Sequence, residues 1–232
     1  VWRERGGADG DDGDEATRLY EQLKCGLMPL DKSSEEYKLC VEYAHNQREH
    51  HQYTVVNVFK VERRGEADRF KPAADSLGNR HLLWHGSRLT NYVGILSQGL
   101  RIAPPEAPKS GYRLGKGVYA ADVLGKSFGY CRSYGSEHAL VMLLDVALGK
   151  PAELKRDQYM EKPLPKTNCT KALGAVAPDP KHDTSTVDGV RVPKGPPTNT
   201  GVQSSFRHNE YVLYDVKQCK IHYLLQLKCK AL

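Results

Sequence analysis

The feature that most constrains this chain is a ten-residue apolar run at 139–148, broken only by Asp145. It falls well short of the roughly 20 residues a membrane-spanning helix needs, and its length suits a strand. Further strand candidates lie at 53–61, 81–85, 117–121, 210–216 and 220–227, the first of them rich in β-branched residues. Helical periodicity is mostly early. Residues 16–25 put Leu19, Tyr20 and Leu23 on one side, and Tyr37, Cys40, Val41 and Ala44 recur at i, i+3, i+4 and i+7. A capping box from Ser33 to Glu36 opens that second helix, which should run about four turns toward His50. Two shorter helical patterns, 89–98 closed by Gly99 and 125–134, lie among the strands. Residues 62–80 read as a polar loop. Residues 151–205, rich in Pro, Gly, Lys, Thr and Asp, read as long loops with at most short strands. Early helices followed by many strands with little strict alternation predict an α+β fold with a mixed or antiparallel sheet.

Charge narrows the class of ligand. Residues 1–15 hold six acids and two arginines, so the net charge of +6 conceals +10 on the remainder. A basic body suits an anionic partner, either nucleic acid or a phosphate-bearing cofactor. Residues 150–171 interleave aromatic and basic side chains only weakly, which argues against a dedicated nucleic-acid surface. Residues 6–15, GGADGDDGDE, are low-complexity and should be solvated; they lack the spacing of a calcium loop. The six cysteines are scattered with no CxxC pair, which speaks against zinc and for a reducing, intracellular compartment. The first residues contain no apolar signal-peptide core.

Two nucleotide motifs are partly matched. Residues 120–127, AADVLGKS, fit a permissive phosphate loop, and the following apolar run ends in Asp145, where such folds hold magnesium. The first glycine of the loop is missing, and no further βαβ units follow. Gly115 and Gly117 begin a dinucleotide fingerprint, but its third glycine falls on Ala120, and the motif precedes a strand where it should follow one.

Three other elements carry chemistry. Residues 82–88, LLWHGSR, place His85 at a strand end beside Gly86, whose bare backbone can approach an amide-bearing ligand. Tyr119, Ser127 and Tyr130 follow the Gly115–Lys116–Gly117 turn, and two tyrosine rings could sandwich a flat heteroaromatic. Glu210 opens the apolar strand NEYVLYDV. Taken singly, each is more readily a satisfied turn histidine, packed tyrosines or a solvated edge glutamate.

Together, LLWHGSRLTNYVGILSQGLRIAPPEAP, GKGVYAAD and NEYVLYDV closely resemble the diphtheria-toxin-like ADP-ribosyltransferases, specifically the poly(ADP-ribose) polymerase catalytic domain and its DNA-damage-responsive subgroup. The resemblance covers residues 33–232. It implies a split, mixed or antiparallel β-sheet with few helices, preceded at 1–32 by an acidic segment and a short remnant of a helical regulatory region. It implies NAD as the substrate, no metal, and a triad of His85, Tyr119 and Glu210. On that matching, His85 orients the adenosine ribose, Tyr119 and Tyr130 stack on the nicotinamide, and the Gly86 backbone and Ser127 hold the carboxamide. Ser87, Asn91 and Arg101 lie along the adenosine and phosphate end, and Lys126 is either an aid on the acceptor side or a plain surface lysine.

Glu210 would stabilise the positive charge that develops as the nicotinamide–ribose bond breaks. A glutamate there, where mono-transferring relatives often carry an apolar residue, implies chain elongation on protein acceptors, including the enzyme itself. The resemblance also implies nuclear location, a role in the DNA-damage response and sensing of DNA breaks through modules outside this chain; it leaves open whether an accessory factor completes the acceptor site. Two departures stand out. Ala120 replaces an aromatic beside the nicotinamide pocket, and the short regulatory remnant implies weak autoinhibition. The rival readings are a mono-ADP-ribosyltransferase, a non-catalytic reader of NAD or ADP-ribose, a phosphate-loop NTPase and an RNA 2′-phosphotransferase on a related fold.

Overall fold

A computed structural model describes residues 15–47, 53–103, 112–132 and 136–229. The acidic segment at 6–14 and the end of the helix expected toward His50 lie outside the described residues. Helix α1 (Glu15–Gln22) buries no side chain, and strand β1 (Cys25–Pro29) follows it. Helix α2 (Glu35–Asn46) starts one residue later than the capping box predicts, because Ser33 is drawn to Asp31, to which both its N–H and hydroxyl donate. Ser34 caps the helix by accepting from the Tyr37 N–H at 3.2 Å. Glu36 turns away to Lys60 (3.0 Å) and the Tyr223 hydroxyl (3.1 Å), so no reciprocal box forms.

Strand β2 (Tyr53–Arg63) leads into a feature the sequence concealed. The expected polar loop at 62–80 contains helix α3 (Glu66–Leu77), with Pro72 inside it. Its anchor is ionic rather than an apolar stripe. Glu66 is buried, pairs with Arg69 at 3.1 Å and Arg63 at 3.5 Å, and accepts from the Ile221 N–H at 3.3 Å, while Phe70 is the helix's buried apolar side chain.

Strand β3 (Arg80–Gly86) is followed by a 3₁₀ turn (Leu89–Asn91) and α4 (Tyr92–Gln98), which closes on Gly99 at φ +81°. Then come β4 (Val118–Ala120), α5 (Leu124–Phe128, half the length the sequence pattern predicts) and β5 (His138–Ala147). The expected loop region carries only short strands, β6 (Pro151–Leu154), β7 (Cys169–Ala172), β8 (Val176–Pro178), β9 (Thr184–Ser185), β10 (Arg191–Val192) and β11 (Pro197–Asn199). Strands β12 (Glu210–Leu213) and β13 (Cys219–Cys229) complete the chain.

The strands form a seven-stranded sheet in the order β1-β2-β13-β5-β3-β10-β9 and a four-stranded sheet β4-β12-β7-β6, with β8 and β11 as a separate pair. Pairing is antiparallel except β3 with β10 and β6 with β7. This is the split, mixed sheet of an α+β fold. The two larger sheets meet where Trp84 and Ala121 exchange backbone hydrogen bonds of 2.7 and 2.9 Å.

The large sheet is covered on both faces. Leu83, Met142, Leu144 and Leu224 pack toward α4 and the small sheet, while Leu82, Trp84, Val141, Leu143 and Leu225 pack toward α2. Two buried faces explain why β5 reads as a continuous apolar run rather than an alternating one.

Candidate active site

The junction between the sheets is where the chemistry gathers. Strand β3 delivers His85 and Gly86 immediately after the Trp84 bridge, and β4 delivers Tyr119 and Ala120 immediately before Ala121. Helix α5 adds Lys126 and Ser127, and β12 opens with Glu210. These side chains, with Tyr112, Ala121 and Tyr130, line a cavity of about 160 Å³. That is the space of about five liquid waters, enough for one flat heteroaromatic ring and a small substituent.

His85 Nδ1 lies 2.6 Å from the Tyr119 carbonyl oxygen. A carbonyl can only accept, so Nδ1 carries the hydrogen and Nε2 keeps its lone pair. Burial pushes the imidazole below its ordinary value, partly opposed by the Tyr119 hydrogen bond, which leaves the ring neutral at pH 7. Gly86 is required by close approach. A Cβ there would stand 1.9 Å from the Ser127 carbonyl oxygen and 2.8 Å from its carbon, so only glycine lets β3 lie against α5. The Ser127 hydroxyl donates to the Trp84 carbonyl at 3.0 Å, which turns its lone pairs toward incoming donors.

The Tyr119 hydroxyl donates to the Gly115 carbonyl (2.6 Å) and accepts from the Leu114 N–H (3.2 Å), locking its ring in place. Tyr112 stands 6.3 Å away, centroid to centroid. Gly115 takes φ +97°, and a Cβ there would run into the Met160 carbonyl, so the turn that holds Tyr119 depends on glycine. Glu210 is 5% exposed, and its Oε1 sits 2.7 Å from Lys126 Nζ. Lys126 in turn stands 5.7 Å above the ring of Tyr130, which is itself exposed.

A family model described as the poly(ADP-ribose) polymerase catalytic domain matches residues 34–229. The chain belongs to that family. It is 48% identical to poly(ADP-ribose) polymerase 1 of Gallus gallus over 231 residues, 97% of this chain and 23% of the relative. It is 46% identical to poly(ADP-ribose) polymerase of Drosophila melanogaster over 217 residues, covering 91% and 22% of the two proteins. With poly(ADP-ribose) polymerase 2 of Arabidopsis thaliana it shares 45% identity over 216 residues, 90% of this chain and 34% of the relative. The chain thus spans between about a fifth and a third of the length of these curated relatives.

Within this poly(ADP-ribose) polymerase domain, the fold brings together His85, Gly86, Tyr119, Ser127, Tyr130 and Glu210 around one cavity. Ser87, Asn91 and Arg101 lie outside its lining; Asn91 Nδ2 donates to the Ser87 hydroxyl at 3.0 Å, and Arg101 is exposed. Ala120 stands in the cavity wall and pairs with Tyr211 across the small sheet. The phosphate-loop alternative is overturned. Strands β4 and β5 belong to different sheets, Lys126 is engaged by Glu210, and Asp145 is engaged by Arg80.

Sequence reasoning missed three contributors. Tyr112 lines the cavity, and its position just before the Gly115–Gly117 turn was a usable signal. Asn209 and Asp122 are buried and bonded to each other at 2.7 Å, a pairing with no local signature.

Proposed function

We propose that this domain cleaves the nicotinamide–ribose bond of NAD and transfers ADP-ribose to protein acceptors and onto the growing chain. The observation that carries the reading is a buried glutamate, Glu210, held by Lys126 at the wall of a ring-sized cavity that also contains Tyr119, Tyr130 and Ser127. The nicotinamide ring enters between the two tyrosines. Ser127 Oγ accepts from the carboxamide NH₂, and the Gly86 backbone completes that grip. The dinucleotide's remaining length extends past His85 toward Ser87, Asn91 and Arg101. His85, neutral and with Nε2 free to accept, receives a ribose hydroxyl.

As the glycosidic bond breaks, positive charge grows on the ribose, and the Glu210 carboxylate faces it in a site largely shielded from water. The leaving group is neutral nicotinamide, so departure needs no proton donor. Glu210 then accepts the proton of an acceptor hydroxyl, and Lys126 holds the carboxylate in position for both tasks. Protein acceptors, this chain among them, nuclear residence and response to DNA breaks through modules beyond residues 1–232 are part of the same reading. The names of the relatives support polymer synthesis alone, and the rest of that reading is supported by the resemblance to the DNA-damage-responsive subgroup. Among the described residues no helix is long and apolar enough to cross a membrane.

The test is NAD consumption with labelled-product gels, with and without nicked DNA. Nicotinamide release with a high-molecular-weight smear supports polymer synthesis, a single discrete band indicates mono-transfer, and binding without turnover indicates a reader. Large stimulation by nicked DNA would contradict weak autoinhibition.

Two further outcomes are expected. Because burial lowers the His85 value from 6.5, the neutral, accepting form persists as pH falls. KM for NAD should therefore stay flat from neutral pH through 6.5 and rise only below it; a rise centred at 6.5 or above would remove this role from His85. Gly86→Ala forces a methyl into the α5 backbone and should cost about 1–3 kcal/mol of stability. Nicotinamide affinity should weaken with it, as thermal melts and a nicotinamide titration would show.

A further inference from the structure

Behind Glu210 lies a second carboxylate that the proposed chemistry does not use. Asp122 follows the Trp84–Ala121 bridge and is 3% exposed. Its Oδ2 accepts two hydrogen bonds, from Asn209 Nδ2 at 2.7 Å and from the Tyr211 hydroxyl at 3.0 Å. Its Oδ1 is buried with no hydrogen-bond partner among the described residues. The two donors are the chain neighbours of Glu210 on either side. Converging on one oxygen, they share a face of the chain, so the Glu210 side chain between them projects to the other.

Asn209 has a second tie, since its Oδ1 accepts from the Gly174 N–H at 2.8 Å. Gly174 has no room for a Cβ, which would stand 2.5 Å from the Asn209 nitrogen. The residue before Glu210 is thus fixed from two separate segments. One of them, through Ala121, is bonded directly to the strand that carries His85 and Gly86.

This arrangement is costly for stability alone. A buried carboxylate with one unpaired oxygen is less favourable than an apolar side chain among apolar neighbours. What it supplies is registry between β12 and the sheet junction. Resting on the function proposed above, we infer that Asp122 is a positioning residue for Glu210. By clamping Asn209 and Tyr211 it sets the height and direction of the Glu210 carboxylate against Lys126 and the cavity.

The experiment compares Asp122→Leu, Asp122→Asn, Glu210→Gln and the Asp122→Leu/Glu210→Gln double variant by NAD turnover, with a crystal structure of Asp122→Leu. Asp122→Leu should lower kcat by roughly 10- to 100-fold, the scale of a misplacement of about 1 Å. KM for NAD should move less than about threefold, because ring binding does not pass through Asp122. Asp122→Asn keeps an oxygen for both donors and should recover most of the rate. In the double variant, Asp122→Leu should add less than about threefold to the Glu210→Gln loss, since both act through one group.

Multiplicative losses in the double variant, or an intact kcat with only a lowered melting temperature, would overturn the inference. If Asp122→Leu does not fold, Asn209→Ala and Tyr211→Phe each remove one donor from the other side and should give the same kcat-specific loss; unchanged kcat in both would overturn it. The crystal structure separates this inference from the functional reading. A Glu210 carboxylate still 2.7 Å from Lys126 in Asp122→Leu rejects the positioning role whatever the activity. An unmodified chain that binds but never consumes NAD rejects only the function.

Discussion

Glu210→Gln should lower the rate of nicotinamide release by about 10²–10³-fold, equivalent to about 2.7–4 kcal/mol of transition-state stabilisation. The substitution keeps the side chain's shape and leaves an oxygen for Lys126 Nζ, now 2.7 Å from Oε1. NAD binding should therefore survive with KM little changed, the signature of an interaction made chiefly in the transition state. The loss has two parts. The negative charge that faces the developing ribose cation is gone, and the Lys126 ammonium beside it loses its counter-charge in a low-dielectric wall. Single-turnover release of nicotinamide measures the first, and labelled-product gels should show a smear collapsing to a discrete band or to nothing. A kcat within tenfold of the unmodified chain would show that the charge lies elsewhere.

Asp145→Asn should strongly destabilise the large sheet. Asp145 is fully buried in β5 and engages Arg80 through both carboxylate oxygens, with Arg80 Nε 3.1 Å from Oδ1. Lys220 Nζ and His222 Nδ1 each approach to 3.8 Å. Removing the one negative charge leaves these partners facing each other beside an apolar core, which typically costs about 3–5 kcal/mol. At roughly 2–4 °C per kcal/mol for a domain of this size, the melting point should fall by about 10 °C.

The effect carries a pH signature. Burial alone would raise the Asp145 carboxyl, but the approach of His222, the Arg80 hydrogen bonds and the charges of Arg80 and Lys220 hold it below its ordinary 3.8. Its ionised form therefore adds stability that is fully present well above 3.8 and is lost as pH falls through the lowered folded value. The gap between unmodified and Asp145→Asn melting points should be constant near neutrality and close only in strong acid. A gap that closes between pH 5 and 7 would assign the stabilisation to another group.

Asp145 also shows how far periodicity reaches. The run around it identified a strand correctly, because a two-faced core leaves every position of β5 from Ala139 to Ala147 apolar except this one. The lone acid looked like a magnesium ligand because its cationic partners, Arg80 and Lys220, sit on β3 and β13, the neighbours of β5 in the sheet. Sheet order is set by long-range pairing and leaves no local trace. Helix α3 was hidden for a related reason. It is held by Glu66 to Arg63 and Arg69, and charged residues in a row read as solvated chain until their burial is known.

By itself, the sequence determined the α+β class, the long strands β2, β3, β5 and β13 and helices α2 and α4, and the resemblance carried by its motifs singled out His85, Gly86, Tyr119, Ser127, Tyr130 and Glu210, which the fold brings around one cavity, along with Ser87, Asn91 and Arg101, which lie outside its lining. Strand composition, helical spacing and short glycine-bearing motifs are local properties, and local properties are written in neighbouring residues. Only the tertiary structure decided how those residues are held. It tied the two sheets together at Trp84 and Ala121, set Lys126 on Glu210, and set the buried Asp122 behind the strand that presents it. Each of these is a contact between segments far apart in sequence. The energy of such a contact depends on burial and on the partner's position, and neither exists until the sheets have closed around it.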